Sequence, residues 1–268
     1  MISLLREEIN NNISFKFIIV WFLIIISPII YNLFRLNQYS LLDSLDFFEL
    51  TMTTILPLVF PLIVVIVYLV PFSNEITNNY LFYTRLRINV QRYLTIKFAA
   101  NSIIVFVIMF SFIFIPFLFS FYIEPLFGIV NYEPETSGLS TPELIKNTYE
   151  RLTFSQLLEY GSFTYGFLYS IWVGLNGVIY ATIGFFALLL VKNKFLALSI
   201  PFLLYHLGSF IIAVADFPFL LLDASIFPYN TVQYPILIVF IPFLFLLFLC
   251  FGLYIYIKKN LYQLDSIR

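Results

Sequence analysis

Six long stretches of the 268-residue chain contain no Asp, Glu, Lys or Arg. They cover residues 17–34, 50–74, 98–123, 160–191, 195–215 and 224–257. An α-helix needs about 20 apolar residues to cross a lipid bilayer, so each stretch has room for one crossing. The sequence therefore predicts an all-α polytopic membrane protein with six transmembrane helices, the fourth near 167–191 and the sixth near 236–257. We treat residues 1–268 as a single transmembrane domain.

The composition excludes several other classes of protein. Only 11% of the residues are charged, whereas soluble domains average about a quarter. The net charge of -1 gives no basic surface for nucleic acid. One cysteine, Cys250, and one histidine, His206, are too few for a disulfide or a cysteine- and histidine-based metal site. No Gly-x-x-x-x-Gly-Lys-Ser/Thr loop is present, so we expect no catalytic residues and no ATP hydrolysis in this chain.

The segments that connect the six stretches alternate in the sign of their charge. Eleven of the 14 basic residues lie before the first stretch, between the second and third, between the fourth and fifth, and after the sixth. The other connections hold eleven of the 15 acidic residues. Lysine and arginine concentrate on the cytoplasmic side of membrane proteins. The pattern therefore predicts that both termini are cytoplasmic.

Three segments outside the spans have patterns of their own. In residues 1–16, apolar and polar residues alternate at helical spacing, which predicts an amphipathic helix on the inner leaflet, with a frayed tail as the alternative. Residues 124–160 form a long external insertion, in which Thr141 as an N-cap and Pro142 at the first helical position predict a helix over about 142–151. Residues 216–235 are apolar but interrupted by prolines, which favours an external re-entrant or interfacial element.

The predicted spans offer few polar groups that could contact a substrate. Asn32, Asn176 and His206 are the candidates for a substrate pathway, with hydrogen bonding between helices as the alternative for each. The spans contain no buried charge of the kind on which secondary transporters depend, so coupling to protons or sodium is disfavoured. Small residues recur every three or four positions in the fourth stretch, from Gly166 to Gly184, and predict a helix-packing face.

The most informative connection is the basic segment 75–93 between the second and third spans. Ile76, Tyr80 and Tyr83 would share one face of a short helix, and Asn89 can cap the helix that follows. An ordinary positive-inside loop is the alternative. The segment also has an ordered set of charged positions: Glu75, the pair Thr84-Arg85, then Arg87, Arg92 and the lysine Lys97 that enters the third span.

This arrangement resembles the permease subunit of type-2 ABC transporters. The resemblance extends to the amphipathic amino terminus, the six spans and the broken apolar segment before the last span. It implies that 75–93 is a coupling loop that docks on a separate ATPase subunit through Glu75, Thr84, Arg85, Arg87 and Arg92. ATP and Mg²⁺ would be bound by that subunit, and no cofactor by this chain.

The resemblance implies a bacterial plasma membrane protein that works with a second permease copy, as a homodimer in membrane lipid. Its function would be export, and the aromatic-rich composition favours a hydrophobic or amphipathic peptide as the substrate. The alternative is a membrane sensor or immunity protein that binds an external ligand without transport. A channel is disfavoured because the sequence has no charged or glycine-rich filter.

Overall fold

The computed structural model describes residues 2–53, 55–77, 89–229 and 233–260, and in these ranges the regular secondary structure is helical. Six of the described helices are long and apolar enough to cross a membrane, which makes the chain a multi-pass membrane protein. We refer to them as spans 1 to 6. They are Phe15–Leu33, Leu56–Ile76, Val90–Phe127, Ser162–Leu190, Lys194–Val214 and Ile236–Asn260. The predicted number and order of the spans are confirmed.

The α-helices are α1 Ile2–Asn12, α2 Phe15–Leu33, α3 Ser44–Thr53, α4 Leu56–Thr77, α5 Val90–Leu118, α6 Glu124–Phe127, α7 Thr141–Glu150, α8 Ser162–Leu190, α9 Lys194–Val214 and α10 Phe240–Asn260. A π-helical turn, Phe119–Ile123, joins α5 to α6 within span 3. Short 3-10 segments lie at Leu36–Gln38, Pro134–Ser137, Ser155–Tyr160, Pro218–Leu220 and Ile236–Val239.

Span 4 is the central helix of the bundle. In its most apolar window 83% of the residues are buried, against 22% in spans 1, 5 and 6. Its glycines allow close approach: a Cβ atom at Gly166 would lie 2.2 Å from the ring of Phe117 in span 3, and one at Gly184 would lie 2.5 Å from Leu69 in span 2. The small residues of span 4 therefore form a packing face, and its partners lie within the same chain.

Polar caps explain where several helices begin. The side chain of Asn89 accepts a hydrogen bond from the Gln91 amide (2.9 Å), as predicted, and Asn193 does the same for Phe195 (3.0 Å). The helix of the insertion begins at Thr141, because Ser140 and Glu143 form a reciprocal capping box. The prediction that Thr141 caps this helix is therefore wrong by one residue, since the neighbouring hydroxyl takes that role.

The two ends of the bundle carry different charges. One end, which we call the basic end, holds α1, the chain on either side of 78–88 and the last turn of span 6. Its described basic residues are Arg6, Lys16, Arg92, Lys97, Lys192, Lys194, Lys258 and Lys259. The opposite, acidic end holds α3, residues 124–160 and residues 216–229. An isolated bridge between Leu41 and Tyr132 joins the insertion to the chain before α3.

An α-helix covers Ile2–Asn12 of the predicted amino-terminal segment, and its location on the inner leaflet stays a prediction. Leu5, Ile9 and Ile13 pack against the core, whereas Ile2 is 84% exposed. The helix is therefore held on the bundle by one side only.

Candidate functional site

A cluster of three charged side chains lies at the basic end, where α1 meets spans 2 and 3. The Lys97 ammonium is 2.8 Å from Glu8 Oε1 and 2.7 Å from Glu75 Oε2. Lys97 is only 5% exposed. A charge so deeply buried is costly unless it is paired, and the two carboxylates pair with this ammonium.

Neighbouring side chains donate further hydrogen bonds to the same two carboxylates. The Tyr68 hydroxyl of span 2 donates to Glu8 (2.8 Å), and the Tyr93 hydroxyl of span 3 donates to Glu75 (2.6 Å). Asn12 of α1 also donates to Glu8 (2.7 Å). Two carboxylates and one ammonium leave the cluster with one net negative charge. Hydrogen bonds and ion pairs thus join α1, the end of span 2 and the start of span 3 in one network.

The predicted coupling residues fall partly within this network. Glu75 is a member of it, and Arg92 is exposed on the first turn of α5. Thr84, Arg85 and Arg87 lie in residues 78–88, outside the described residues. Glu75 and Lys97 stand on either side of that segment, so their ion pair closes the base of the loop between spans 2 and 3.

Sequence reasoning missed Glu8 and the two tyrosines as members of the network. Lys97 was the signal that could have found them, because a lysine at the start of an apolar span requires counter-charges. Glu8 is 89 residues away in the chain, so its role depends on how α1 packs.

A cleft of about 470 Å³ opens at the basic end, between spans 3, 4 and 6. Its walls are largely apolar and aromatic, with Phe98, Phe185 and Phe186 among them, and Lys258 lies at its edge. Such a surface suits an apolar or amphipathic molecule with a negatively charged or polar group.

The three predicted pathway residues lie apart, each bonded to backbone carbonyls. Asn32 is buried and donates to Pro28 and Leu50 (2.9 and 3.3 Å). Asn176, also buried, donates to Trp172 of its own helix (3.0 Å). His206 Nε2 lies 3.1 Å from the Leu58 carbonyl of span 2. These contacts are those expected of helix packing, and a shared substrate pathway remains a prediction.

At the acidic end, Arg151 joins the insertion to α3. Its guanidinium pairs with Asp46 and lies 3.3 Å from Asp43 Oδ2. The Thr148 hydroxyl also donates to Asp43 (2.6 Å). The arginine and the two aspartates are 105 to 108 residues apart, so this pairing fixes the end of the insertion on the bundle.

Glu49 follows these aspartates on α3 and has a different environment. Burial raises the pKa of its carboxyl to about 7, an effect that Arg151 partly offsets and the charges of Asp46 and Asp43 reinforce. Within the described part of the chain, its buried Oε1 has no hydrogen-bond partner. Near neutral pH this carboxyl is therefore poised between its two protonation states.

Residues 222–229 pack among the spans at the acidic end. The Trp172 indole of span 4 donates to the Ser225 carbonyl (2.9 Å), and the Tyr169 hydroxyl donates to the Ile226 carbonyl (3.0 Å). The ring of Phe227 lies 5.4 Å from that of Phe60 in span 2. Side chains of span 4 thus donate to two backbone carbonyls of this non-helical segment.

The described residues include no group of three or more His, Cys, Asp or Glu side chains able to hold a metal ion. Comparison with known protein families, with curated proteins and with solved structures found no match to this chain.

Proposed function

We propose that this chain is the membrane-spanning subunit of an ATP-driven exporter in a bacterial plasma membrane. The observation that carries the proposal is the Glu8–Lys97–Glu75 network. It ties the base of the loop between spans 2 and 3 to both spans and to α1. A force applied to the loop would therefore act on three elements together, as a coupling segment requires.

In this proposal the 75–93 segment is the coupling loop, and a separate ATPase subunit docks on it. Arg85, Arg87 and Arg92 would present positive charge to that subunit, while Glu75 holds the base of the loop through Lys97. The ATPase subunit would bind ATP and Mg²⁺. The charge pattern of the sequence favours a cytoplasmic basic end, with both termini on that side.

The cleft beside Phe98 and Lys258 supports a hydrophobic or amphipathic substrate, such as a peptide. It lies at the basic end, where a molecule in the inner leaflet could enter the bundle from the side. A second copy of the chain would complete the translocation unit, with residues 216–235 as a re-entrant element on its outer side. The packing of residues 222–229 against span 4 supports that role.

A cleft at the acidic end favours a second candidate function, a sensor or immunity protein. This cleft, of about 610 Å³, is formed by the insertion together with residues 233–236. Glu150, Glu159 and Tyr160 are among its lining residues, a combination that would suit a cationic ligand with apolar groups. In that case binding would occur without an ATPase partner.

Site-specific cross-linking separates the two functions. A photoreactive amino acid placed at Arg87 in the tagged chain, expressed in its own host, should cross-link to a P-loop ATPase identified by mass spectrometry. The same group at Ser137 in the insertion is the matched control and should not. Failure to recover an ATPase at position 87, or its equal recovery at both positions, would contradict the exporter.

A further inference from the structure

Two tyrosines in the centre of the bundle have hydroxyl groups that the fold leaves unsatisfied. Tyr180 of span 4 and Tyr205 of span 5 are both 0% exposed, and their ring centroids are 5.5 Å apart. Among the described residues, neither hydroxyl has a hydrogen-bond partner, and neither does the buried Oδ1 of Asp223. Buried polar atoms in folded proteins almost always have partners, so three together require an explanation.

The three oxygens come from three different elements: span 4, span 5 and the segment that follows span 5. The Asp223 amide donates to Ser209 Oγ (3.1 Å), and Ser209 lies one helical turn beyond Tyr205 on span 5. The ring of Phe60 lies 5.7 Å from those of both tyrosines. The carboxylate of Asp223 is close enough to interact electrostatically with both hydroxyl groups.

The described residues provide no ion-pair partner for the carboxylate of Asp223. His206 follows Tyr205 in the chain, but its Nε2 lies at the Leu58 carbonyl. A buried carboxylate oxygen and two phenol oxygens form a donor set made only of oxygen. Such ligands suit a hard cation, and a single carboxylate favours a monovalent one.

We propose that Asp223 Oδ1 and the hydroxyl oxygens of Tyr180 and Tyr205 bind a small monovalent cation. Sodium, potassium and ammonium share the required chemistry. The bound ion would attach residues 216–229 to spans 4 and 5, in addition to the existing bonds from Tyr169 and Trp172. This site does not depend on the export function, because it needs neither an ATPase nor a substrate.

Thermal unfolding of the detergent-purified chain tests this site. The melting temperature would be measured in NaCl, KCl, NH₄Cl and choline chloride at the same ionic strength, with choline as the cation too large to enter. At least one of the three small cations should raise the melting temperature by about 3 °C or more relative to choline, with saturation as its concentration rises. The salt that acts at the lowest concentration identifies the preferred ion.

Matched variants connect the effect to these residues. Asp223→Asn should abolish the cation-dependent shift, while Asp216→Asn, which removes an exposed acid at the end of span 5, should retain it. The double variant Tyr180→Phe, Tyr205→Phe should reduce the shift, and the exposed Tyr122→Phe should not. If Asp223→Asn does not fold, the binding of radioactive sodium to the wild-type chain is measured instead. This binding should saturate, and potassium and ammonium should compete with it.

Equal melting temperatures in all four salts would overturn the proposal and leave bound water as the explanation. A shift that survives in Asp223→Asn would overturn it as well. In the radioactive-sodium experiment, the proposal would be overturned if sodium showed no saturable binding that potassium or ammonium displaces and the melting temperature did not depend on the salt.

Discussion

At the scale of single residues, Lys97 is the side chain on which the basic end depends most. It is 5% exposed and pairs with both Glu8 and Glu75. Removing one partner of a buried ion pair leaves uncompensated charge, which costs about 3 kcal/mol or more. We expect Lys97→Met to lower the melting temperature of the purified chain by about 6 to 12 °C.

Two further variants test the cause of that loss. Lys16→Met removes an exposed lysine at the same end and should change the melting temperature by less than about 2 °C. Adding Glu8→Gln to Lys97→Met should restore part of the lost stability, because it removes one of the two unpaired carboxylates. A Lys97→Met variant as stable as the wild type would show that the network contributes nothing.

Glu49 gives a prediction for the pH dependence of stability. Its pKa is about 7 in the folded chain, against an ordinary value of 4.5. The unfolded chain therefore releases this proton at lower pH than the folded chain, so the stability due to Glu49 is complete below pH 4.5 and is lost as the pH rises to 7. The difference corresponds to about 3 kcal/mol.

Glu49→Gln keeps the shape of the side chain but cannot ionise. Melting temperatures would be measured at pH 5, 6, 7 and 8. The melting temperature of the variant should rise relative to that of the wild type as the pH increases, and it should be the higher of the two at pH 8. Glu159→Gln, in an exposed position, is the control and should follow the wild type. Parallel profiles for Glu49→Gln and the wild type would contradict the assigned burial.

At the scale of helices, the glycines of span 4 determine how closely span 3 can approach. A Cβ atom at Gly166 would lie 2.2 Å from the buried ring of Phe117. Overpacking of this kind costs about 1 to 3 kcal/mol. Gly166→Ala should therefore lower the melting temperature, whereas Gly252→Ala in span 6, with no atom within 4 Å of the new Cβ, should leave it unchanged or raise it. Equal effects of the two substitutions would contradict the packing of spans 3 and 4.

The spans could be predicted from the sequence because a membrane helix is a local feature. The charge-free stretches identify them, although span 4 begins at Ser162, earlier than the predicted 167. The Arg151 to Asp43 pairing could not be predicted, because Arg151 could pair with any of the acidic residues of that side, and their folded positions decide the choice. The cap at Ser140 was missed because two adjacent hydroxyl residues, Ser140 and Thr141, compete for one position.

At the scale of the whole molecule, the orientation in the membrane can be measured directly. In a Cys250→Ser background, a cysteine at Ser137 should react with an impermeant thiol reagent added to intact cells, and a cysteine at Asn79 should react only after the membrane is opened. The reason is the concentration of basic residues around 75–97, which favours a cytoplasmic location. Labelling of both positions in intact cells would contradict the six-span topology with cytoplasmic termini.

The proposed function requires the loop between spans 2 and 3 to couple this chain to an ATPase. Charge reversal of Arg85 and Arg87 to Glu would place unpaired or repelling charge in the proposed contact, at a cost of about 2 to 5 kcal/mol. The dissociation constant of the ATPase captured at position 87 should rise roughly 30-fold or more, with a parallel loss of ATP turnover by the complex. The same reversal at Lys258 and Lys259, both exposed at the basic end, controls for the overall change of charge.

The most direct measurement is therefore the affinity of that ATPase for the wild-type chain, the Arg85→Glu, Arg87→Glu variant and the Lys258→Glu, Lys259→Glu control, in one detergent at one salt concentration. We expect a large loss of affinity for the Arg85→Glu, Arg87→Glu variant and a change of less than about threefold for the control. Wild-type affinity and unchanged ATP turnover in the Arg85→Glu, Arg87→Glu variant would show that the loop is a positively charged anchor without a coupling role.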